Sequence, residues 1–208
     1  MGIKIKNAVM TIIIVNILLF VLQMALGNSF TTMFMLISKD VLTRPWIIIT
    51  SMFLHGGAYH LFANMIGLFF FGPLLESRIG SKYFLIIYFT SGIIAGIAST
   101  FFYTAALGAS GALMGVFGVL VILMPNLKVM FNLLIPVPLW LLIVGWATMD
   151  FLAIIPGIAH KAHLAGLIIG ILFGFHLKQK KRKIHKKINN STHLTTADME
   201  EYMNSGRI

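Results

Sequence analysis

The sequence predicts an all-α membrane protein, a bundle of six transmembrane helices. Three observations predict it. Of the 208 residues, 58% are hydrophobic and only 11% are charged, against about 45–50% and about 25% in a soluble domain. The charges fall in a few clusters, and the apolar runs between them have the length of a bilayer crossing, about 20 residues. The basic residues also gather on one side of the predicted spans.

The elements follow from where charges and helix breakers fall. Lys4 and Lys6 precede an apolar run at 8–26, read as a retained first span and not as a cleaved leader, because no small-residue cleavage site lies at the right depth. Segment 27–50 mixes Lys39, Asp40 and Arg44 with Met33, Phe34 and Trp46, too interrupted to span and too apolar for a free loop, so it is expected at the interface. A second span, 58–75, ends at Glu76 and Arg78. The uncharged run from Tyr83 to Leu127 is too long for one helix and breaks near Gly108, giving spans at 83–103 and 110–124. A fifth span is expected at 132–152, with Pro136 and Pro138 near its start, and a sixth at 162–177. Residues 1–178 thus form the membrane core, and 179–208 a basic, disordered cytoplasmic tail in which Thr195 to Asp198 is spaced to cap a short helix without functional weight.

Six spans put both termini on one side. If that side is cytoplasmic, Lys4, Lys6, Arg78, Lys82, Lys128 and the tail lie inside, and only Lys39, Arg44 and Lys161 lie outside. The positive-inside rule favours this orientation in a cell membrane. Half of the net charge of +10 comes from residues after 177, where basic residues cluster, which suits anionic lipid headgroups and not nucleic acid. With no cysteine in the chain, thiolate chemistry and disulfides are excluded.

In this topology the second, fourth and sixth spans all begin at the outer face, so polar residues at their starts share one depth. The second opens with His55, His60 and Asn64, the fourth with Gly108, Ala109, Ser110 and Gly111, the sixth with His160 and His163. Polar groups at membrane depth are costly and mark function. A serine needs a base to become a nucleophile, and a neutral imidazole can serve as base and then as acid. The free N–H groups and positive dipole end at the start of the fourth span suit a developing oxyanion. His60 and Asn64, four apart, share a helix face and can donate to the same oxyanion. Gly166, Gly170 and Gly174 recur every fourth residue, the last two within roughly 20° of His163 around the helix. With Gly111, Gly115 and Gly118 on the fourth span, they predict close packing of those two helices, bringing His163 to Ser110. Singly, each feature has an ordinary explanation: small residues pack membrane helices, and histidines hydrogen-bond between them. His55 and His160 are read as interface residues, and Asp150, expected near the wet outer end of the fifth span, as no part of the site.

Three stretches together resemble the rhomboid family of intramembrane serine proteases: Phe53-Leu54-His55 through His60 and Asn64 to Glu76, Gly108-Ala109-Ser110-Gly111, and Ala162-His163-Leu164-Ala165-Gly166. The resemblance covers about 44–177. It implies a serine–histidine dyad with no acid, Ser110 as nucleophile and His163 as general base, and an oxyanion hole from His60, Asn64 and the Ser110 backbone N–H. It also implies a first loop at 27–50 submerged beside the site, transmembrane protein substrates cut near the outer face, and no cofactor or metal. Two positions depart from common family patterns: Ile47, not arginine, follows Trp46, leaving that role absent or taken by Arg44, and Met114 stands where some members carry a tyrosine beneath the histidine ring.

Two other readings compete. A catalytically silent relative that binds membrane helices should lack the serine or the histidine, and both are present. A metal or transport protein using His55, His60, His160 and His163 would want carboxylate partners in the spans, and the H-E-x-x-H pattern of metal proteolysis is absent.

Overall fold

The computed structural model describes residues 7–131 and 135–189. Helices α1 (Ala8–Phe34), α2 (Ile47–Thr50), α3 (Ala58–Phe102), α4 (Ser110–Leu123), α5 (Leu139–Phe151) and α6 (His160–Asn189) carry the fold. Two small antiparallel strand pairs, β1 (Leu36–Ile37) with β2 (Ala105–Ala106) and β3 (Lys128–Phe131) with β4 (Ile135–Pro138), tie the connections. Helices α1, α3 and α6 are long and apolar enough to cross a bilayer. Helix α3 accounts for two crossings. Its interior break is Gly80, at φ +77° and ψ 158°, a conformation that only glycine adopts without strain. The Cβ position of Gly56, before α3, lies 3.8 Å from Leu107, after it. The helix therefore folds back on itself between its ends. Counting both halves of α3, the spans number six, and the chain is an all-α membrane protein.

Helix α4 occupies the middle. It is apolar on every side, and each residue from Gly111 to Leu120 is buried, as expected of a helix surrounded by others. Its main neighbours are α6 and α3. Helix α1 instead buries one stripe, Ala8, Val9, Ile12, Ile13, Asn16 and Gln23, and turns Leu18, Val21 and Leu22 outward. Its N-terminus is held by an acid from far along the chain: Glu76 accepts the Ala8 and Val9 N–H groups at 2.7 and 3.2 Å, and the Ser81 hydroxyl at 2.6 Å. A carboxylate there satisfies orphan donors and complements the helix dipole.

Three expectations are corrected. The first span does not stop at 26: after a non-helical residue at Gly27 the helix resumes and runs to Phe34, so the first loop is shorter than 27–50. The fifth span does not begin at 132. Lys128–Phe131 and Ile135–Pro138 pair as antiparallel strands, and α5 starts at Leu139, because Pro138 cannot donate within a helix and is well placed just before one. The sixth helix does not stop at 177 or at the 178 boundary but continues to Asn189, anchored where Lys180 donates to the Tyr83 hydroxyl at 3.2 Å and lies over its ring. Lys4, Lys6, residues 132–134, the tail beyond 189 and the Thr195 to Asp198 cap lie outside the described residues.

The first loop fastens the segment that carries Ser110. Leu36 and Ile37 pair antiparallel with Ala106 and Ala105, the Ser38 N–H donates to Thr104 O at 3.0 Å, and the Gly108 N–H donates to Ser51 O at 2.9 Å. Arg44 pairs with Asp40 and donates to the Thr32 and Met33 carbonyls, both at 3.3 Å. Its cation thus meets the orphan carbonyls at the end of α1.

Candidate active site

Ser110 is the first residue of α4. The first intrahelical bond of that helix runs from Leu113 N to Ala109 O, so the N–H groups of Ser110, Gly111 and Ala112 have no intrahelical acceptor. These donors and the positive helix end converge beside the Ser110 hydroxyl.

The structure brings Ser110 and His163 together, with His163 Nε2 2.8 Å from Ser110 Oγ. Glycines make the approach possible. A Cβ on Gly166 would lie 2.0 Å from the Gly111 carbonyl oxygen, and one on Gly170 would lie 2.1 Å from that of Gly115. One on Gly118 would lie 2.6 Å from the Leu167 oxygen, and one on Gly174 2.7 Å from Ile122. At Gly166, Gly170 and Gly118 the neighbour is backbone, so α4 and α6 meet backbone to backbone from just below Ser110 and His163 onward.

His60 of α3 lies against Gly108, beside Ser110. The Gly56 N–H donates to its Nδ1 at 3.3 Å. With Nδ1 accepting, the neutral ring carries its proton on Nε2. The ring lies against Gly108: the Cβ position of Gly108 is 2.7 Å from His60 Cε1, 2.8 Å from His60 Nε2 and 3.8 Å from Ser110 Oγ. A side chain at Gly108 would therefore meet the His60 ring and lie close to the serine hydroxyl. Gly108 takes φ +124°, which glycine alone tolerates.

Asn64 is buried, but its amide turns to its own helix, donating from Nδ2 to His60 O at 2.9 Å. It steadies the turn that carries His60. Its Oδ1 has no partner among the described residues.

His55, read from the sequence as an interface residue, is 1% exposed and sits edge-on to His60, ring centroids 5.1 Å apart. Burial, and secondarily the neighbouring His60, lowers its pKa to about 4, so the ring is neutral near neutral pH. Gln23 of α1 clamps its backbone, donating to His55 O at 2.8 Å and accepting from His55 N at 3.1 Å.

Asp150, expected at a wet helix end, and His160, read like His55 as an interface residue, both lie against His163 or its partner. Asp150 is not at a wet helix end: it is 2% exposed, and its Oδ2 lies 3.1 Å from His163 Nδ1. His160, also buried, places Nδ1 2.7 Å from Asp150 Oδ1 and Nε2 2.7 Å from Ile155 O. The signal was present as an acid in an otherwise uncharged span, an ordinarily expensive placement. The loop 152–159 that folds α5 back on α6 could not be read from spacing. No cluster of three or more His or acidic side chains suited to a metal occurs among the described residues.

A six-span membrane bundle with a serine at the start of its central helix, a histidine hydrogen-bonded to it, and donors around both defines the class. The rhomboid domain family model matches residues 42–180, and the chain belongs to the rhomboid family. It is 32% identical over 204 residues to Rhomboid protein 1, mitochondrial, of Saccharomyces cerevisiae, a match covering 86% of this chain and 57% of the yeast protein. It is 32% identical over 152 residues to RHOMBOID-like protein 6, mitochondrial, of Arabidopsis thaliana, covering 72% of this chain and 49% of that one. It is 35% identical over 127 residues to Rhomboid protease GluP of Bacillus subtilis, covering 60% and 24% of the two chains. The chain spans about half the length of the yeast and Arabidopsis relatives.

Proposed function

We propose that this chain is an intramembrane serine endopeptidase that cleaves transmembrane segments of other membrane proteins near the outer face of a cell membrane, with both of its termini cytoplasmic. The observation that carries the reading is the 2.8 Å contact between His163 Nε2 and Ser110 Oγ at the start of α4. Nε2 accepts the hydroxyl proton as Oγ attacks the scissile carbonyl, and the same proton then passes to the leaving amine. The carbonyl oxygen becomes an oxyanion in the space beside Gly108, where the Ser110 N–H and His60 Nε2–H donate, with Asn64 beneath them as a further donor or as the support of His60. Water then hydrolyses the acyl-enzyme by the same route in reverse.

The depth of the site follows from helix length. Fourteen residues of α4 rise about 21 Å, less than the ~30 Å of a bilayer's hydrocarbon core. A helix ending at the inner face thus begins below the outer one. The basic residues Arg78, Lys82 and Lys128 at the opposite ends of the spans support the orientation. Because a peptide bond inside an intact helix is shielded by its own hydrogen bonds, substrates are expected to carry small or helix-weakening residues near that depth.

The test is covalent labelling with a fluorophosphonate probe, followed by peptide mass spectrometry. Wild type is expected to be modified at Ser110, and Ser110→Ala and His163→Ala to be unmodified while folded. Modification at another serine, or none in wild type, contradicts the reading.

A further inference from the structure

Asp150 and His160 take no part in the bond-making steps above, yet both are buried against the base. Met114, one turn after Ser110 on α4, is buried, and its thioether has no hydrogen to donate to an imidazole. The ring is held instead at its other nitrogen. Asp150 Oδ2 and Oδ1 stand 3.1 and 3.3 Å from His163 Nδ1.

We propose that Asp150, itself held by His160, is a positioning residue that fixes His163 in its Nδ1–H tautomer, making a relay of Ser110, His163, Asp150 and His160. The inference rests on the serine-protease reading of Ser110 and His163.

The proton count supports it. A carbonyl oxygen only accepts, so His160 Nε2, 2.7 Å from Ile155 O, must carry a hydrogen. His160 Nδ1 and Asp150 Oδ1, 2.7 Å apart, need one proton between them. Placed on the ring, it makes His160 an imidazolium and leaves Asp150 a carboxylate. That carboxylate accepts from His163 Nδ1–H, which leaves His163 Nε2 bare to take the Ser110 proton. When it does, the positive charge formed on His163 faces Asp150. A buried carboxylate alone would be costly, and His160 offsets that cost before turnover begins.

The surroundings hold few competing charges. His60 of α3 borders Gly108, beside Ser110, and His55 stands edge-on to it. Lys161, on α6, turns its ammonium over the Phe151 ring at 5.5 Å. Its backbone N–H donates to the Tyr103 hydroxyl at 2.9 Å, which fastens the start of α6 to the chain before Ser110.

The relay makes His163 sensitive to both partners with opposite signs. Losing the carboxylate makes the base easier to deprotonate, and losing the His160 cation makes it harder. In full-length protein cleaving a model transmembrane substrate, Asp150→Asn is expected to lower kcat by about 10²-fold or more with KM little changed. It should also move the acid limb of the kcat/KM profile to lower pH. His160→Gln should move that limb to higher pH, and Asp150→Glu should restore part of kcat. A merely structural pair would lose activity in step with melting temperature, with no opposed shift of the limb. That outcome, or full activity in Asp150→Asn beside an active wild type, overturns the relay and leaves the protease reading standing.

A second measurement does not depend on activity. Nitrogen-15 NMR of histidine-labelled Ser110→Ala protein should show His163 protonated at Nδ1 alone and His160 at both nitrogens. His163 protonated at Nε2 instead would overturn the proposal even if no substrate is ever cut.

Discussion

Gly170 of α6 lies against Gly115 of α4 so closely that a Cβ on Gly170 would stand 2.1 Å from the Gly115 carbonyl oxygen. Backbone cannot yield there as a side-chain tip can. Gly170→Val is therefore expected to force the helices apart, lower the melting temperature and abolish cleavage by moving His163 away from Ser110. Overpacking of this kind costs about 1–3 kcal/mol, occasionally more. Gly145 in α5 is the control, since nothing lies within 4 Å of its Cβ position. Gly145→Ala should leave stability unchanged or raise it by up to about 1 kcal/mol. Thermal melts of both variants in detergent, beside cleavage rates, check the pair.

Gly108 separates the two roles a glycine can have. Its φ of +124° strains any other residue, and its Cβ position falls 2.7 Å from the His60 ring. Gly108→Ala should fill the space assigned to the oxyanion, lowering kcat by roughly 10²–10³, the scale of losing one oxyanion donor. Substrate affinity should change little. Steady-state kinetics that show a raised KM with unchanged kcat would place the oxyanion elsewhere.

Helix and site were legible in the sequence to different degrees. The apolar runs located the spans because lipid demands about 20 uncharged residues in a row, and the four-residue glycine repeat predicted which helices touch. Span ends were less legible. Ile135–Pro138 reads as the start of a span, and only its pairing with Lys128–Phe131 makes it a strand. Gly27 reads as a helix end, yet hydrogen bonding resumes beyond it. Asp150 was the largest omission. In sequence it lies 13 residues from His163 with no helical phase relating them, and only the turn between α5 and α6 sets its carboxylate against Nδ1. His60 differs: the four-residue step to Asn64 placed both on one face, but not the fact that Asn64 spends its amide on the His60 carbonyl.

Glu76 tests the fold apart from the chemistry. It receives the first two N–H groups of α1 and the Ser81 hydroxyl. Glu76→Ala should cost about 1–2 kcal/mol, in the range of a lost helix cap. The oxyanion and base groups are far from it, so kcat of the folded fraction should be unaffected. Unfolding followed by circular dichroism, with activity measured on the same sample, checks both parts.

The most direct measurement is cleavage of a model transmembrane substrate in proteoliposomes by wild type, Ser110→Ala and His163→Ala, with the cut site mapped by mass spectrometry. An intramembrane serine protease built on Ser110 and His163 predicts a cut by wild type alone, at a substrate bond near the outer face. Cleavage that survives in Ser110→Ala, or an inert wild type across substrates with helix-weakening residues at that depth, would contradict it.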